Sequence, residues 1–236
     1  MGLRVLKLEG LVKAWLRKRV NRFTVEVEVD GSPVKAHLTN TGRLQEYLVN
    51  GRKSLLARIK GPRLSYRLIA VEDGDGYAVV DTISQQRVFE SLVRDNSIPW
   101  LKDCFIVKRN YRIEGEVIDY LIECHGLQRL VELKSSVLRT VDNYASYPDC
   151  PTDRGVRQIE TLARFAEKYK PLVVFIAALP RVKGFKPFCR GDPRILEAVM
   201  NASMKGVVFK SINTYMVDES GWIVLENPDL PVLLEC

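Results

Sequence analysis

Leu172-Val173-Val174-Phe175-Ile176-Ala177-Ala178-Leu179 is an uninterrupted apolar run. A strand with one wet face alternates polar and apolar side chains, because successive Cβ atoms point to opposite faces of the sheet. A run with no polar member therefore predicts a strand buried on both sides, in a parallel or mixed sheet covered by helices. The run is also far shorter than the ~20 apolar residues that span a bilayer, and no longer apolar run exists in the chain.

The rest of the second half supplies what such a strand needs. Val88, Leu92 and Val93 have helical spacing within 84–94. Strands are expected at 105–107, 117–123 and 128–135. Pro151-Thr152-Asp153 opens a helix whose apolar stripe is Ile159, Leu162, Ala163 and Ala166. A helix at 193–204 and a strand at 207–213 complete an α/β sheet.

The first third reads differently. Phe23, Val25, Val27 and Val29 alternate with Thr24, Glu26 and Glu28, Asp30-Gly31 is a hairpin signal, and Val34, Ala36 and Leu38 resume the alternation. Further short strands are expected at 55–59, 66–71 and 77–80, with a single helical turn at 43–48. Short antiparallel strands with basic loops suit a small barrel of the OB type. The expected fold class is mixed α/β: an OB-like β-barrel over 1–83, then an α/β domain with a central mixed sheet over 84–236.

Asp119 lies on one expected strand, and Glu132-Leu133-Lys134 on the next, across a turn at His125-Gly126. Glu132 and Lys134 are two residues apart, so they share a face about 6.5 Å apart at Cα. Two carboxylates beside a lysine suit metal-dependent phosphodiester cleavage. The acids can hold Mg²⁺ or Mn²⁺ through oxygen, with the Leu133 carbonyl completing the set, and the lysine can orient water or steady charge. An acid and a base two apart on a strand also suit a solvated, paired face.

Charge placement points to a polyanion. Residues 1–83 carry 15 Lys/Arg against 9 Asp/Glu, and the remainder 21 against 20, within a net charge of +7. The excess gathers at Lys13, Arg17, Lys18, Arg19 and Arg22, and again from Arg52 to Arg67. DNA is the expected partner, with RNA an open alternative. In Asn40-Thr41-Gly42-Arg43, Gly42 would permit a tight turn, backbone amides could face phosphate, and Arg43 could add a bidentate contact. Phe23, Tyr47 and Tyr66 are candidate platforms for unpaired bases, although the alternation assigns Phe23 to the barrel core. Five cysteines without a C-x-x-C spacing argue against a zinc site and fit mostly reduced thiols in a cytoplasmic protein with no membrane segment, an intracellular disulfide staying open for a hyperthermophile source.

The chain resembles the sugar fermentation stimulation protein (SfsA) family. The likeness runs through Asn21-Arg22-Phe23, His37-Leu38-Thr39-Asn40-Thr41-Gly42-Arg43, Val80-Asp81-Thr82 and Ile118-Asp119-Tyr120. It continues in Val131-Glu132-Leu133-Lys134-Ser135 and in the block from Tyr147 to Gly155. The resemblance implies an OB-like barrel followed by a PD-(D/E)xK nuclease-like domain, and DNA binding with little sequence preference. It carries the catalytic positions onto Asp119, Glu132 and Lys134, with Asp119 and Glu132 as metal ligands, and sets Glu90 where a helical acid joins the site. Arg17, Lys18, Arg19, Arg22, Asn40, Thr41, Arg43 and Arg154 are the nucleic-acid-binding candidates. Three departures stand out: Gln158 where relatives often carry His, Lys108 where they often carry an acid, and Glu116-Val117-Ile118 where they often have Ser-Arg before the strand aspartate. Two readings follow: a divalent-metal-dependent nuclease, and a non-catalytic DNA-binding regulator that keeps the fold.

Overall fold

In a computed structural model, residues 2–61 and 63–236 are described. Seven strands come first: β1 (Leu3–Lys7), β2 (Val12–Asn21), β3 (Thr24–Val29), β4 (Ser32–His37), β5 (Lys53–Arg58), β6 (Tyr66–Asp73) and β7 (Gly76–Val79). Helix α1 (Thr82–Arg94) leads into β8 (Cys104–Ile113), β9 (Glu116–Cys124) and β10 (Leu127–Ser135). Two short strands, β11 (Leu138–Arg139) and β12 (Ala145–Tyr147), precede α2 (Asp153–Arg164) and α3 (Ala166–Tyr169). The chain continues through β13 (Leu172–Ala177), β14 (Phe185–Pro187), α4 (Arg194–Met204), β15 (Val208–Met216) and β16 (Trp222–Asn227).

Strands β4-β3-β2-β5-β6 follow one another as neighbours, and a parallel pairing of β4 with β6 closes them into the OB-like barrel. In the second half β8, β9 and β10 form an antiparallel meander, and β10, β13 and β15 run parallel. The order is helix, meander, helix, parallel strand, a mixed α/β sheet with helices on its faces. A small separate sheet, β11-β12-β14, lies beside it.

The apolar run behaves as its composition demands. Val174 and Ile176 pack into the core that holds Val88, Phe89, Leu92 and Val93 of α1. Val173 and Phe175 pack into a second core with Val156, Ile159 and Leu162 of α2 and Ile195 and Val199 of α4. One strand thus supplies both faces of the sheet, and every residue of β13 is buried. Asp81 caps α1, its carboxylate accepting from the Ser84 N–H at 2.9 Å. The same buried carboxylate meets Thr39 Oγ1 at 2.9 Å and Arg67 Nε at 3.2 Å, both from the barrel.

Three expectations need correction. The pattern did not reveal β1 and β2, and β1 pairs with β16 rather than with the barrel. Phe23 is 51% exposed. It sits in the bend before β3, where its N–H is taken by Asn21 Oδ1 at 2.9 Å, so the β3 alternation does not reach it. Reduced thiols were expected, yet Cys104 and Cys124 are direct cross-strand partners on β8 and β9 and form a disulfide, with Cα atoms 4.2 Å apart. Cys189 and Cys236 are also bonded, and Cys150 is free.

Candidate active site

Asp119 and Glu132 meet because β9 and β10 are an antiparallel pair in which Tyr120 faces Val131. The two acids are interlocked. Glu132 Oε2 accepts from the Asp119 N–H at 3.2 Å, and Asp119 Oδ2 accepts from the Leu133 N–H at 2.8 Å. Lys134 Nζ donates to Glu132 Oε1 at 2.8 Å and to Gln158 Oε1 at 2.7 Å. Gln158 is itself fixed by donating from Nε2 to the Val117 carbonyl at 2.8 Å. Glu132 and Lys134 are only 3% and 5% exposed. A solvated paired face would not look like this.

Burial sets the electrostatics. It pushes the Glu132 carboxyl up to about 7, against the opposing pull of Lys134. It also raises the Asp119 carboxyl, against the Leu133 N–H, Lys134 and Arg154. Burial disfavours the charge on Lys134 as well, but Glu132 and Tyr147 outweigh it and hold the ammonium above its ordinary range. The site thus sets two carboxyl groups that resist ionisation beside a lysine that keeps its proton.

These groups lie in a cleft of about 640 Å³ with walls from both halves of the chain. Arg22, Thr39, Asn40, Thr41 and Gly42 come from the barrel side, and Pro148, Asp149, Cys150 and Arg154 from the other. Gly42 is required by contact, not by a left-handed turn. A Cβ there would stand 2.6 Å from Asp149 Oδ1, and Asp149 Oδ2 accepts from the Leu44 N–H at 2.8 Å. The Gly42 N–H is used by Asn40 Oδ1 at 2.9 Å, and Asn40 Nδ2 donates to Ser135 Oγ at 3.1 Å. The Gly42 and Leu44 N–H groups are thus taken within the protein, and the Asn40 side chain ties the loop to β10.

The remaining candidates divide. Arg22 and Arg154 are exposed, line the cleft from opposite walls, and have no acidic partner among the described residues. Thr41 lines the cleft, whereas exposed Arg43 does not. Arg19 is committed to backbone, donating to the carbonyls of Asn21, Arg22, Gly42 and Arg43. Arg17 pairs with Glu28, and Lys18 with Glu26 at 3.8 Å, both across β2–β3 and away from the cleft lining. Glu90 does not join the acids. Its carboxylate takes Arg109 at 2.7 Å through both oxygens and the Tyr120 hydroxyl at 3.0 Å. Tyr120 follows Asp119 on β9, so its side chain leaves from the opposite face of the sheet. Among the described residues no three His, Cys, Asp or Glu side chains converge.

The chemistry of the donor set fits a small hard cation. Mg²⁺ commonly takes one or two carboxylates and keeps its other positions as water. Asp119 and Glu132 supply that number. Sequence reasoning missed Asp149 and Tyr147 as parts of the site. Both stand in the block from Tyr147 to Gly155, but nothing local showed that this block meets the barrel.

The family profile described as "Sugar fermentation stimulation protein RE domain" matches residues 83–220. The profile described as "SfsA N-terminal OB domain" matches residues 18–80. A sugar fermentation stimulation protein homolog from Archaeoglobus fulgidus is 39% identical over 98% of this chain and all of that protein. A homolog from Pyrococcus furiosus is 37% identical over 94% of this chain and 96% of its own length. A solved structure, Pyrococcus furiosus SfsA in complex with Ca²⁺, is similar with a TM-score of 0.94 at 37% identity, covering 98% of this chain and 99% of that one.

Proposed function

The chain belongs to the sugar fermentation stimulation protein family, and from that premise we propose that it binds DNA with little sequence preference and cleaves phosphodiester bonds with a divalent metal. The observation that carries this reading is the Asp119–Glu132–Lys134 group, with Glu132 and Lys134 buried and Asp119 half-buried, which opens into a cleft whose two walls carry Arg22 and Arg154. The division of labour assigns the barrel, over 1–83, to the nucleic acid and residues 84–236 to the chemistry.

Asp119 and Glu132 would hold Mg²⁺ or Mn²⁺. The Ca²⁺ complex of the Pyrococcus furiosus relative supports a hard cation in this family. When bound, such an ion lowers the pKa of water and offsets charge on phosphate oxygens. The protein's own groups do the rest. Lys134 keeps its proton, so Nζ acts as a fixed positive charge toward a phosphate oxygen or the attacking water and does not abstract a proton. Gln158 aims it by holding Nζ from the side opposite Glu132. Arg154 and Arg22 neutralise flanking phosphates, contacts that position a strand without reading its sequence.

A second reading, DNA binding without turnover, is favoured by one observation: no third acid joins the pair among the described residues. Labelled single- and double-stranded DNA and RNA, incubated with and without Mg²⁺ or Mn²⁺, separate the two. Metal-dependent products that disappear in Glu132→Gln support the nuclease. Binding with no products under any metal overturns it in favour of the second reading.

A further inference from the structure

Glu132 sits deeper than the convex surface of an intact double helix readily reaches, while Asp119 is half-buried. A duplex is a convex rod, and its phosphates reach only what protrudes. Glu132 and Lys134 are 3% and 5% exposed on the floor of a cleft of about 640 Å³. That space falls in the range of roughly 300–1,000 Å³ that holds a drug-sized molecule, the scale of a nucleotide or two. An unpaired strand can bend its backbone into a space of that size.

Two further observations point the same way. Phe23 is 51% exposed at the bend between β2 and β3, with the Arg22 guanidinium 5.6 Å from its ring centre. Arg22 lines the cleft and Phe23 is the next residue along the chain; an exposed aromatic beside a basic group is the arrangement on which unpaired bases stack. Ser146 also lines the cleft. Its residue is 1% exposed, and its Oγ has no hydrogen-bond partner among the described residues. A buried hydroxyl left unpaired is destabilising, and ligand contact is one reason to retain it.

We infer that the cleft takes a single unpaired strand, with Phe23 stacking a base at the mouth and Ser146 meeting the nucleotide on the floor. This rests on the nucleic-acid reading of the same site and names its substrate class.

Fluorescence anisotropy in Ca²⁺ tests it, comparing a 12-nucleotide single strand with a duplex of the same sequence closed at both ends by loops. The single strand should bind at least about tenfold more tightly, and Phe23→Ala should remove about five- to a hundredfold of that affinity while leaving the closed duplex unchanged. Ser146→Ala should raise the melting temperature while weakening the single strand alone. Equal or tighter binding of the closed duplex, or equal losses on both probes in Phe23→Ala, overturns the inference. A Ser146→Ala protein with unchanged single-strand affinity overturns the floor contact. Cleavage in Mn²⁺ is read separately. If the closed duplex is cut as fast as the single strand, this inference fails and the nuclease stands. If nothing is cut but the single-strand preference holds, the nuclease fails and this inference stands.

Discussion

Lys134 Nζ lies 2.8 Å from Glu132 Oε1 and 2.7 Å from Gln158 Oε1, so one ammonium bridges the acid two residues before it and an amide from α2. The ammonium is buried, and losing either partner would leave it poorly compensated. Gln158 serves here as an acceptor from the amine.

Removing the Glu132 charge should therefore separate chemistry from binding. In Glu132→Gln the shape is kept, a metal donor is weakened, and cleavage should fall by at least about a hundredfold, because even outer-sphere changes cost about 10–100-fold at metal sites. DNA affinity should hold or rise, since a negative charge facing phosphate is gone. Single-turnover cleavage alongside anisotropy checks both. Unchanged cleavage would remove Glu132 from the site.

Metal affinity should depend on pH. The Glu132 carboxyl is raised from 4.5 to about 7 by burial, and Asp119 is raised as well. Below about 7 a proton competes with the cation, so affinity should fall about tenfold per pH unit for each proton displaced. The sign for stability is opposite. A carboxyl raised on folding stabilises the metal-free protein fully below 4.5 and loses that contribution as pH rises through about 7. The melting temperature without metal should thus drop between pH 5 and 8, Ca²⁺ should restore it at pH 8, and Glu132→Gln should flatten the profile.

Arg19 should matter for stability and Arg17 and Lys18 should not. The Arg19 guanidinium closes the Asn40–Arg43 loop through backbone carbonyls, and hydrogen bonds from a charged group are worth about 1.5–3 kcal/mol. Arg19→Ala should cost about that much in denaturant unfolding. Arg17→Ala and Lys18→Ala break surface pairs and should stay within about 0.5 kcal/mol.

Arg22 and Arg154 should carry the salt dependence. Each phosphate contact removed should lower the slope of log affinity against log salt by about 0.7–0.9. Arg22→Ala with Arg154→Ala should therefore flatten the slope by nearly two such steps, measured between about 50 and 200 mM salt. A slope that stays the same would mean that other basic residues hold the strand.

Gly42 and Asp149 should behave as a coupled pair. Gly42→Ala puts a methyl group 2.6 Å from Asp149 Oδ1, a steric insertion worth about 1–3 kcal/mol. Asp149→Ala removes both the clash and the acceptor of the Leu44 N–H. The double variant should be more stable than the two single losses predict, as a double-mutant cycle in urea would measure.

Much of this molecule could be read along the chain. The run from Leu172 to Leu179 required a strand covered on both faces, and β13 is one. The spacing of Glu132 and Lys134 set them on one face, and alternation fixed which neighbours face away from them. These are local consequences of strand geometry, with a period of two that needs no knowledge of the partner. What the chain could not show was which faces meet. Glu90 looked available until Tyr120 and Arg109 claimed it from the far side of the sheet. Arg19 looked like one of three equivalent cations until four backbone carbonyls distinguished it. Gly42 looked like a turn residue until Asp149, distant in sequence, filled the space a Cβ would need. Sequence determines the direction in which a side chain leaves the backbone. Only packing between distant segments decides what it meets, because burial, desolvation and contact depend on groups that the local pattern does not contain.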